Sequence, residues 1–281
     1  MIPYTRKTLP NGLTVVVNRD RASKLAAVNI LYRVGARNEN PARTGFAHLF
    51  EHLMFRGTRA VENFDLPVQM ASGDNNAFTN NDYTDFYITL PKDNLETALW
   101  LESDRMEGLD ITPAKLEAEK KVVIEEFRQR YLNQPYGDQT MLLRALAYKV
   151  HPYRWAAIGL ATDHIAGATL ADVESFYRAH YRPSNAILSI SADMEEERML
   201  ELAEKWFAPL ADHPSATAAI PQEPVQTQAR RQEVERDVPA STVTVAYHMC
   251  ARTKPDFYTA DLVSDLLSGG DSGRLYTHLA K

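Results

Sequence analysis

Three ionisable side chains lie within one of the most apolar stretches of the sequence, GFAHLFEHLMFRGT at residues 45–58. His48, Glu51 and His52 are interleaved there with large apolar residues. Burying a polar group without a partner costs roughly 2–7 kcal/mol, so three such groups in one segment need a shared partner. A fold that buries this segment must bring that partner to it, and no other feature of the sequence constrains the fold as strongly.

The spacing of the three residues is typical of a zinc site. Positions i and i+4 of a helix lie on one face, so His48 and His52 can direct two imidazoles at one ion, with Glu51 beside it. The order His-x-x-Glu-His is the inverted form of a common metallopeptidase motif. A single histidine on an apolar face would be assigned to the core, but this set favours a metal. A purely structural zinc site fits less well, because such sites close the fourth position with Cys or His.

A third ligand must come from elsewhere, and residues 111–133, ITPAKLEAEKKVVIEEFRQRYLN, offer several carboxylates. At 100° per residue, Glu119 and Glu126 fall on one face of a predicted helix. That face is apolar and also contains Leu116, Val122, Val123 and Phe127. Either acid could complete the site, with the other as its hydrogen-bond partner, and helical geometry alone does not choose. Both could also be ordinary ion-pair partners in a packed interface.

Strand and helix patterns are mixed along the chain without strict alternation. Strands are predicted in TVVVNR and AAVNILYR, in a hairpin over residues 75–91, and in NAILSIS. Besides the segment around His48, helices are predicted near residues 61–71, 93–108, 113–132, 137–150, 169–181 and 195–207. This order favours an α+β domain in which a mixed, largely antiparallel sheet packs against helices.

The composition changes near residue 210 to Ala, Pro, Gln, Thr and Ser without a periodic apolar face. Residues 211–230 are therefore predicted to link a metal-binding domain, residues 1–210, to a second unit, residues 231–281. The segment ERDVPASTVTVAYHMCAR in the second unit matches NRDRASKLAAVNILYRVGAR near the chain start in the order of its charged, β-type and Ala-Arg residues. This match predicts a second copy of the same unit without zinc ligands. A chance match between two unrelated strand-helix units is the alternative.

Charge and cysteine content exclude several function classes. The net charge is −6 with a sequence pI near 5.8, and mixed signs leave no basic surface for nucleic acid. The single cysteine, Cys250, excludes an internal disulfide and a multi-cysteine metal site. We expect it to pack in a strand. No stretch approaches the ~20 apolar residues of a membrane span.

The order of these features resembles the pitrilysin/insulinase family of zinc peptidases, and most closely its bacterial members related to the mitochondrial processing peptidase. The resemblance rests on HLFEH, NNAFTNNDYTDFY and EKKVVIEEF, and it extends over essentially the whole chain. It implies that His48, His52 and Glu126 bind one zinc ion per chain. It also implies that Glu51 is the general base on a zinc-bound water and that Glu119 supports the site.

The resemblance further implies a peptide-binding strand at Asn76, Ala77 and Phe78. An edge strand has free backbone N–H and C=O groups, so an extended peptide can add to it as a further strand. Simple turn chemistry is an alternative explanation for Asn75 and Asn76. The implied activity is a zinc endopeptidase that cleaves unstructured peptides or small proteins.

Family members have a second homologous domain that faces the first across a chamber and supplies an arginine and a tyrosine to the substrate. Here the second copy ends before those positions, so either the chain is truncated within that domain or a partner supplies the rest, which leaves the activity of this chain by itself open. A dimer, either of two copies or with a related subunit, is expected. The alternative function is a non-catalytic peptide-binding or organising subunit of a paired peptidase complex. A signal-peptide pattern is absent, which fits the bacterial cytoplasm, or the periplasm if a leader has been removed.

Overall fold

The computed structural model describes residues 2–213 and 219–280. Met1, Lys281 and residues 214–218, which are part of the predicted linker, lie outside the described residues. The chain divides into two compact units, Met1–Pro239 and Ala240–Lys281. Among the described helices, none has both the length and the apolar character that a membrane span requires.

Across the described residues, six strands form one sheet in the order β1-β2-β6-β3-β5-β4. The strands are β1 (Thr5–Thr8), β2 (Thr14–Arg19), β3 (Leu25–Tyr32), β4 (Asp74–Thr79), β5 (Thr84–Pro91) and β6 (Ala186–Ala192). Only β2 and β6 pair in parallel, and the other four pairs are antiparallel. The predicted mixed, largely antiparallel sheet is thus confirmed. Strand β1 was not predicted, because its four exposed residues have no apolar alternation.

The helices of the first unit are α1 (Phe46–Leu53), α2 (Asp65–Met70), α3 (Leu95–Glu107), α4 (Pro113–Phe127), α5 (Gln139–Ala147), α6 (Thr162–Ala166), α7 (Leu170–His180) and α8 (Glu196–Phe207). A π-helical turn, Arg128–Leu132, continues α4. Helix α2 is shorter than predicted because Val61 is bound into a turn with Thr58, and Asn63 then accepts the N–H of Asp65. Helix α6 was missed, since five residues are too few for a periodic pattern.

The core lies between one face of the sheet and the helices. In β3, Val28, Ile30 and Tyr32 are fully buried, whereas Leu25 is 48% exposed on the other face. Helix α1 is anchored in this core by Phe50, whose ring stacks on those of Phe176 and Tyr181 with centroids 5.2 Å apart in each case. The apolar residues of α1 therefore fix its orientation, and its ionisable residues point toward α4 and β4.

Helix α4 begins at a Thr112 cap followed by Pro113 at the first helical position. Leu116, Val123 and Phe127 are buried, as predicted. Val122 is 44% exposed, so its predicted place on the apolar face was wrong. At 100° per residue, Val122 falls at the edge of the buried face of α4, and its side chain therefore reaches solvent.

Residues 219–239 have no regular secondary structure, yet they are held along α5. The Glu223 carboxylate accepts the backbone N–H groups of residues 149–151 at 2.7–2.9 Å. Arg230 donates to the carbonyls of Leu146 and Ala147, and Arg236 donates to Asp138. The described part of the predicted linker is therefore bound at the C-terminal end of α5, and Arg236, which follows the linker, is bound at the start of α5; composition alone could not indicate these contacts.

The second unit contains α9 (Asp256–Ser268) and α10 (Arg274–Leu279). Helix α9 forms where the repeat predicts a helix. The β-type run before it forms no strand over residues 240–250, and Cys250 is therefore not in a strand as predicted. A β-segment is stabilised by a hydrogen-bonded neighbouring strand, and the described part of this unit has no second strand to pair with it.

Candidate metal centre

Helix α1 presents both histidines from one face. His48 and His52 are one turn apart, and their ring centroids are 4.9 Å apart at an interplanar angle of 80°. His48 is only 8% exposed. Gly45, at the start of the helix, has φ +93°, and a Cβ there would lie 2.7 Å from the carbonyl oxygen of Ile158. Only glycine readily adopts this positive φ and also lacks the Cβ that would clash with Ile158. Gly45 therefore sets the position at which α1 enters the core.

The N-terminus of α1 is held by a carboxylate from outside the helix. Glu39, which is 6% exposed, accepts the backbone N–H groups of Gly45 at 3.0 Å and Ala47 at 2.8 Å. Burial raises the pKa of the Glu39 carboxyl to about 8, although these two hydrogen bonds favour the ionised form. Sequence reasoning missed this residue, because an acid six positions before a helix does not match any local capping pattern.

Glu126 of α4 lies beside both histidines. Its Oε2 atom is 3.1 Å from His48 Nε2 and 3.3 Å from His52 Nε2. One ligand atom from each of the three residues lies within 4.8 Å of the others. Two imidazole nitrogens and a carboxylate oxygen form the donor set of many catalytic zinc sites, so these residues fit a zinc ion. Of the two acids between which the helical pattern could not choose, Glu126 is the one whose oxygen lies beside Nε2 of both histidines.

Glu119, two turns earlier in α4, contacts the opposite ring nitrogen of His52. Its Oε2 atom is 3.4 Å from His52 Nδ1, and its Oε1 atom is 2.5 Å from Arg56 Nε. An acceptor at Nδ1 leaves the lone pair of Nε2 for a metal. Burial would raise the pKa of Glu119, but the close contacts with His52 and Arg56 lower it below its ordinary value.

Glu51 lies on the wall of a cavity of about 960 Å³ that His52, Phe55, Trp100 and Glu119 also line. Its Oε2 atom is 3.2 Å from His48 Nδ1. Burial opposes ionisation of Glu51, but the hydrogen bond with His48 and the nearby Thr79 hydroxyl lower its pKa below the ordinary value. The carboxylate is therefore ionised and faces open space, as a general base requires.

The metal-free cluster favours protonated imidazoles. Burial would lower the pKa of His52, but Glu119 and Glu126 raise it to about 9. The pKa of His48 is also raised, because Glu126 and Glu51 outweigh its burial. Surrounding acids that stabilise a proton on these rings also stabilise a metal cation, and the two compete for the same nitrogens.

The predicted peptide-binding residues lie on β4, which is the last strand in the sheet order. Asn76, Ala77 and Phe78 pair with β5 opposite Tyr87, Phe86 and Asp85. Phe78 is 43% exposed, and Asn76 Oδ1 accepts the N–H of Ala77 at 2.8 Å. Thr79, at the end of the same strand, donates to Thr84 at 3.3 Å and lies close enough to Glu51 to lower the pKa of that carboxyl. The edge strand and the candidate base are thus adjacent.

Two arginines beside the acids were not predicted as site residues. Arg56 contacts Glu119, and Arg130 Nη1 is 2.9 Å from Glu126 Oε1. The four-residue spacing between Glu126 and Arg130 is a signal that could have indicated the second pair. No comparable signal links Arg56 to Glu119, because the two lie on different elements.

An α+β fold in which a His-x-x-Glu-His helix lies beside a glutamate from a distant helix is the arrangement expected of the inverted class of zinc peptidases. Comparison with known families agrees. Residues 14–156 match the family model described as Insulinase (Peptidase family M16), and residues 167–281 match that of the Peptidase M16 inactive domain. The chain belongs to the M16, or insulinase, family of peptidases.

Individual relatives agree with this family assignment. The chain is 34% identical over 278 residues to the zinc protease PqqE of Helicobacter pylori, covering 97% of this chain and 62% of the relative. It is 26% identical over 261 residues to the probable mitochondrial-processing peptidase subunit beta of Arabidopsis thaliana, covering 90% of this chain and 48% of that protein. The chain thus spans about half to three fifths of the length of these relatives.

A solved structure gives the same fold. The crystal structure of a protease from Helicobacter pylori superposes with a TM-score of 0.92 at 32% sequence identity. The match covers 100% of this chain and 68% of that one. The α+β architecture predicted for the whole chain is therefore confirmed.

Proposed function

We propose that the chain carries the metal centre of a zinc-dependent endopeptidase. The observation that carries this proposal is the convergence of His48, His52 and Glu126, with ligand atoms within 4.8 Å of one another, beside the ionised Glu51. In this proposal the three residues hold one zinc ion per chain. Family membership and relatives named as zinc proteases support it.

The residues of the chain divide the catalytic work. A bound zinc ion polarises a carbonyl and acidifies water, which is the chemistry that these ligands would make available. Glu51 takes the proton from the attacking water and then passes it to the departing amine. Glu119 keeps His52 Nδ1 occupied, so that Nε2 faces the ion.

The substrate would bind in an extended conformation. Strand β4 ends the sheet, and a peptide adding to it needs free backbone groups of its own. This favours unstructured peptides or small proteins, with Asn76, Ala77 and Phe78 contacting the added strand. The contact between Thr79 and Glu51 brings that strand close to the base.

We also propose a paired arrangement. Residues 231–281 would begin a second, zinc-less domain after a linker at residues 211–230, and the match of residues 167–281 to an inactive-domain model supports this view. One relative is named as subunit beta of a processing peptidase. A homodimer or a pair with a related subunit would complete the substrate chamber. A bacterial cytoplasmic or periplasmic location remains a prediction.

Replacement of the base tests the proposal most simply. In the full-length protein, Glu51→Gln should keep one equivalent of zinc but lower cleavage of a quenched, unstructured fluorogenic peptide by about 10²–10⁴-fold. Glu62→Gln, an exposed acid on the same cavity wall, is the matched control and should cleave normally. If Glu51→Gln cleaved as fast as the parent, the assigned base would be wrong. Zinc binding by a parent protein that cleaves no peptide would instead favour the non-catalytic organising subunit.

A further inference from the structure

Two acids of the candidate metal centre, Glu119 and Glu126, each present their two oxygens to different partners. Glu126 directs Oε2 to the histidines and Oε1 to Arg130, at 2.9 Å. Glu119 directs Oε2 to His52 Nδ1 and Oε1 to Arg56, at 2.5 Å. In both cases an arginine holds the oxygen that faces away from the imidazoles.

We infer that Arg56 and Arg130 are positioning residues of the metal centre, each acting through the glutamate that it holds. This inference rests on the proposed zinc site. Arg130 keeps Glu126 presenting one oxygen, which leaves the remaining coordination positions to water and substrate. Arg56 keeps Glu119 oriented toward Nδ1 of His52, which fixes the ring so that Nε2 faces the ion.

The charges of the site support the same role. The carboxylates of Glu51, Glu119 and Glu126 together carry one more negative charge than a zinc ion carries positive charge. The guanidinium groups of Arg56 and Arg130 lie at the outer oxygens, and their two positive charges more than offset this excess. Guanidinium suits the task, since it stays charged and its donors have fixed directions.

A role in stability alone explains the two arginines less well. The Arg130 side chain is 65% exposed, and exposed ion pairs contribute about 0–1 kcal/mol. Arg56 is 52% exposed but pairs with the buried Glu119, so it contributes to stability as well as to the orientation of Glu119. Arg130 also lies in the π-helical turn, where the N–H of Asn133 bonds to the carbonyl of Arg128 at 2.8 Å. Such turns are rare and occur often at functional sites.

Zinc affinity measured by chelator competition in the full-length protein tests the inference. Arg56→Gln and Arg130→Gln should each raise the zinc dissociation constant about 10-fold, the lower end of the usual effect of residues that support metal ligands. They should also alter the visible absorption of the Co²⁺-substituted protein. Arg59→Gln and Arg128→Gln replace exposed arginines of the same two segments and should change neither quantity.

A double-mutant comparison shows whether Arg56 acts through Glu119. In a Glu119→Gln background, Arg56→Gln should have no further effect on zinc affinity. The charge-keeping variants Arg56→Lys and Arg130→Lys should bind zinc more tightly than the glutamine variants. The metal-free Arg130→Gln protein should unfold near the parent's temperature, because that pair is exposed. The metal-free Arg56→Gln protein should unfold at a lower temperature, because Glu119 is buried, so zinc affinities are compared where all variants are folded.

The inference would be overturned if both glutamine variants kept the parent's zinc affinity and Co²⁺ spectrum, or if the control variants lost as much affinity. It would also be overturned if the lysine variants bound zinc no better than the glutamine variants. A full effect of Arg56→Gln in the Glu119→Gln background would overturn the role of Arg56. These outcomes are distinct from failure of the proposed function. If the parent protein binds no zinc through His48 and His52, the proposed function fails. If the parent binds zinc there and the arginine variants are silent, only the positioning role fails.

Discussion

Two clusters of charged residues in the first unit, one buried and one partly exposed, differ in how their charges are balanced. Glu102 and Arg105 of α3 are 0% and 1% exposed and form a closed pair, with Arg105 Nε 2.7 Å from Glu102. The guanidinium also lies between the rings of Phe64 and Phe86, at 4.4 and 4.2 Å from their centroids. The metal centre instead has three acids around two histidines and lies at the wall of an open cavity. In the first cluster the opposite charges pair with each other, although Arg105 Nη1 is buried without a hydrogen-bond partner among the described residues. In the second cluster acids outnumber histidines, which suits the proposed cation.

Breaking the closed pair should have the largest effect on stability. Arg105→Met leaves Glu102 buried without its partner, which should lower the free energy of unfolding by about 3–5 kcal/mol. Urea unfolding of the metal-free protein measures this change. Arg198→Gln, which removes an exposed pair with Glu201, is the control and should cost under about 1 kcal/mol. Equal effects would mean that Arg105 is not the structural partner described.

Removing the third ligand should instead affect metal binding. Glu126→Gln should weaken zinc binding by more than about 100-fold, since even outer residues of such sites cost 10–100-fold. Glu125→Gln, which changes the neighbouring exposed acid, should leave the zinc dissociation constant unchanged. Chelator competition gives both values. A variant without Glu126 that still bound zinc at the parent's affinity would contradict the assignment.

Glu39 allows a test with a buried acid that has backbone partners. Burial raises its pKa to about 8 in the folded state, above the value of 4.5 for a free carboxyl. The folded state therefore binds more protons between these values, so Glu39 makes stability fall as pH rises from about 5 to 8. Glu39→Gln should remove this component, which unfolding free energies of parent and variant across that range would show. An identical pH dependence in the two proteins would contradict the description of Glu39.

The smallest effect is expected from replacing Glu223, which holds residues 219–239 against the chain just after α5. Backbone hydrogen bonds at residues 149–151 outweigh desolvation and lower the pKa of Glu223 to about 2. Its contribution is therefore present above the ordinary carboxyl pKa and is lost as pH falls toward 2. Glu223→Gln should speed amide hydrogen exchange at residues 149–151, whereas Glu233→Gln, whose partner is the nearby Arg231, should not. Unchanged exchange in Glu223→Gln would show that the segment is not held there.

The sequence predicted the parts of the site that depend on local geometry. The i, i+4 spacing of His48 and His52 places both rings on one face before any tertiary contact is known. Glu119 and Glu126 could not be separated in this way, because both fall on the same side of α4. They are seven residues apart, about 10 Å along the helix axis, so the choice depends on which level of α4 faces α1.

Contacts between distant elements could not be predicted. Glu39 and Arg56 meet their partners only after folding, and residues such as Glu223 act through single side chains on helix ends, without any periodic pattern. The second unit shows the converse limit. Its β-type residues predicted a strand, but strand formation needs a hydrogen-bonded neighbour as well as suitable residues.

The most direct test of the metal centre is an anomalous difference map recorded at the zinc absorption edge from crystals of the zinc-loaded protein. The account predicts one peak at about 2.0–2.2 Å from His48 Nε2, His52 Nε2 and a single oxygen of Glu126. A peak bound by Glu119 or Glu51 in place of Glu126, or no peak at the two histidines, would contradict it.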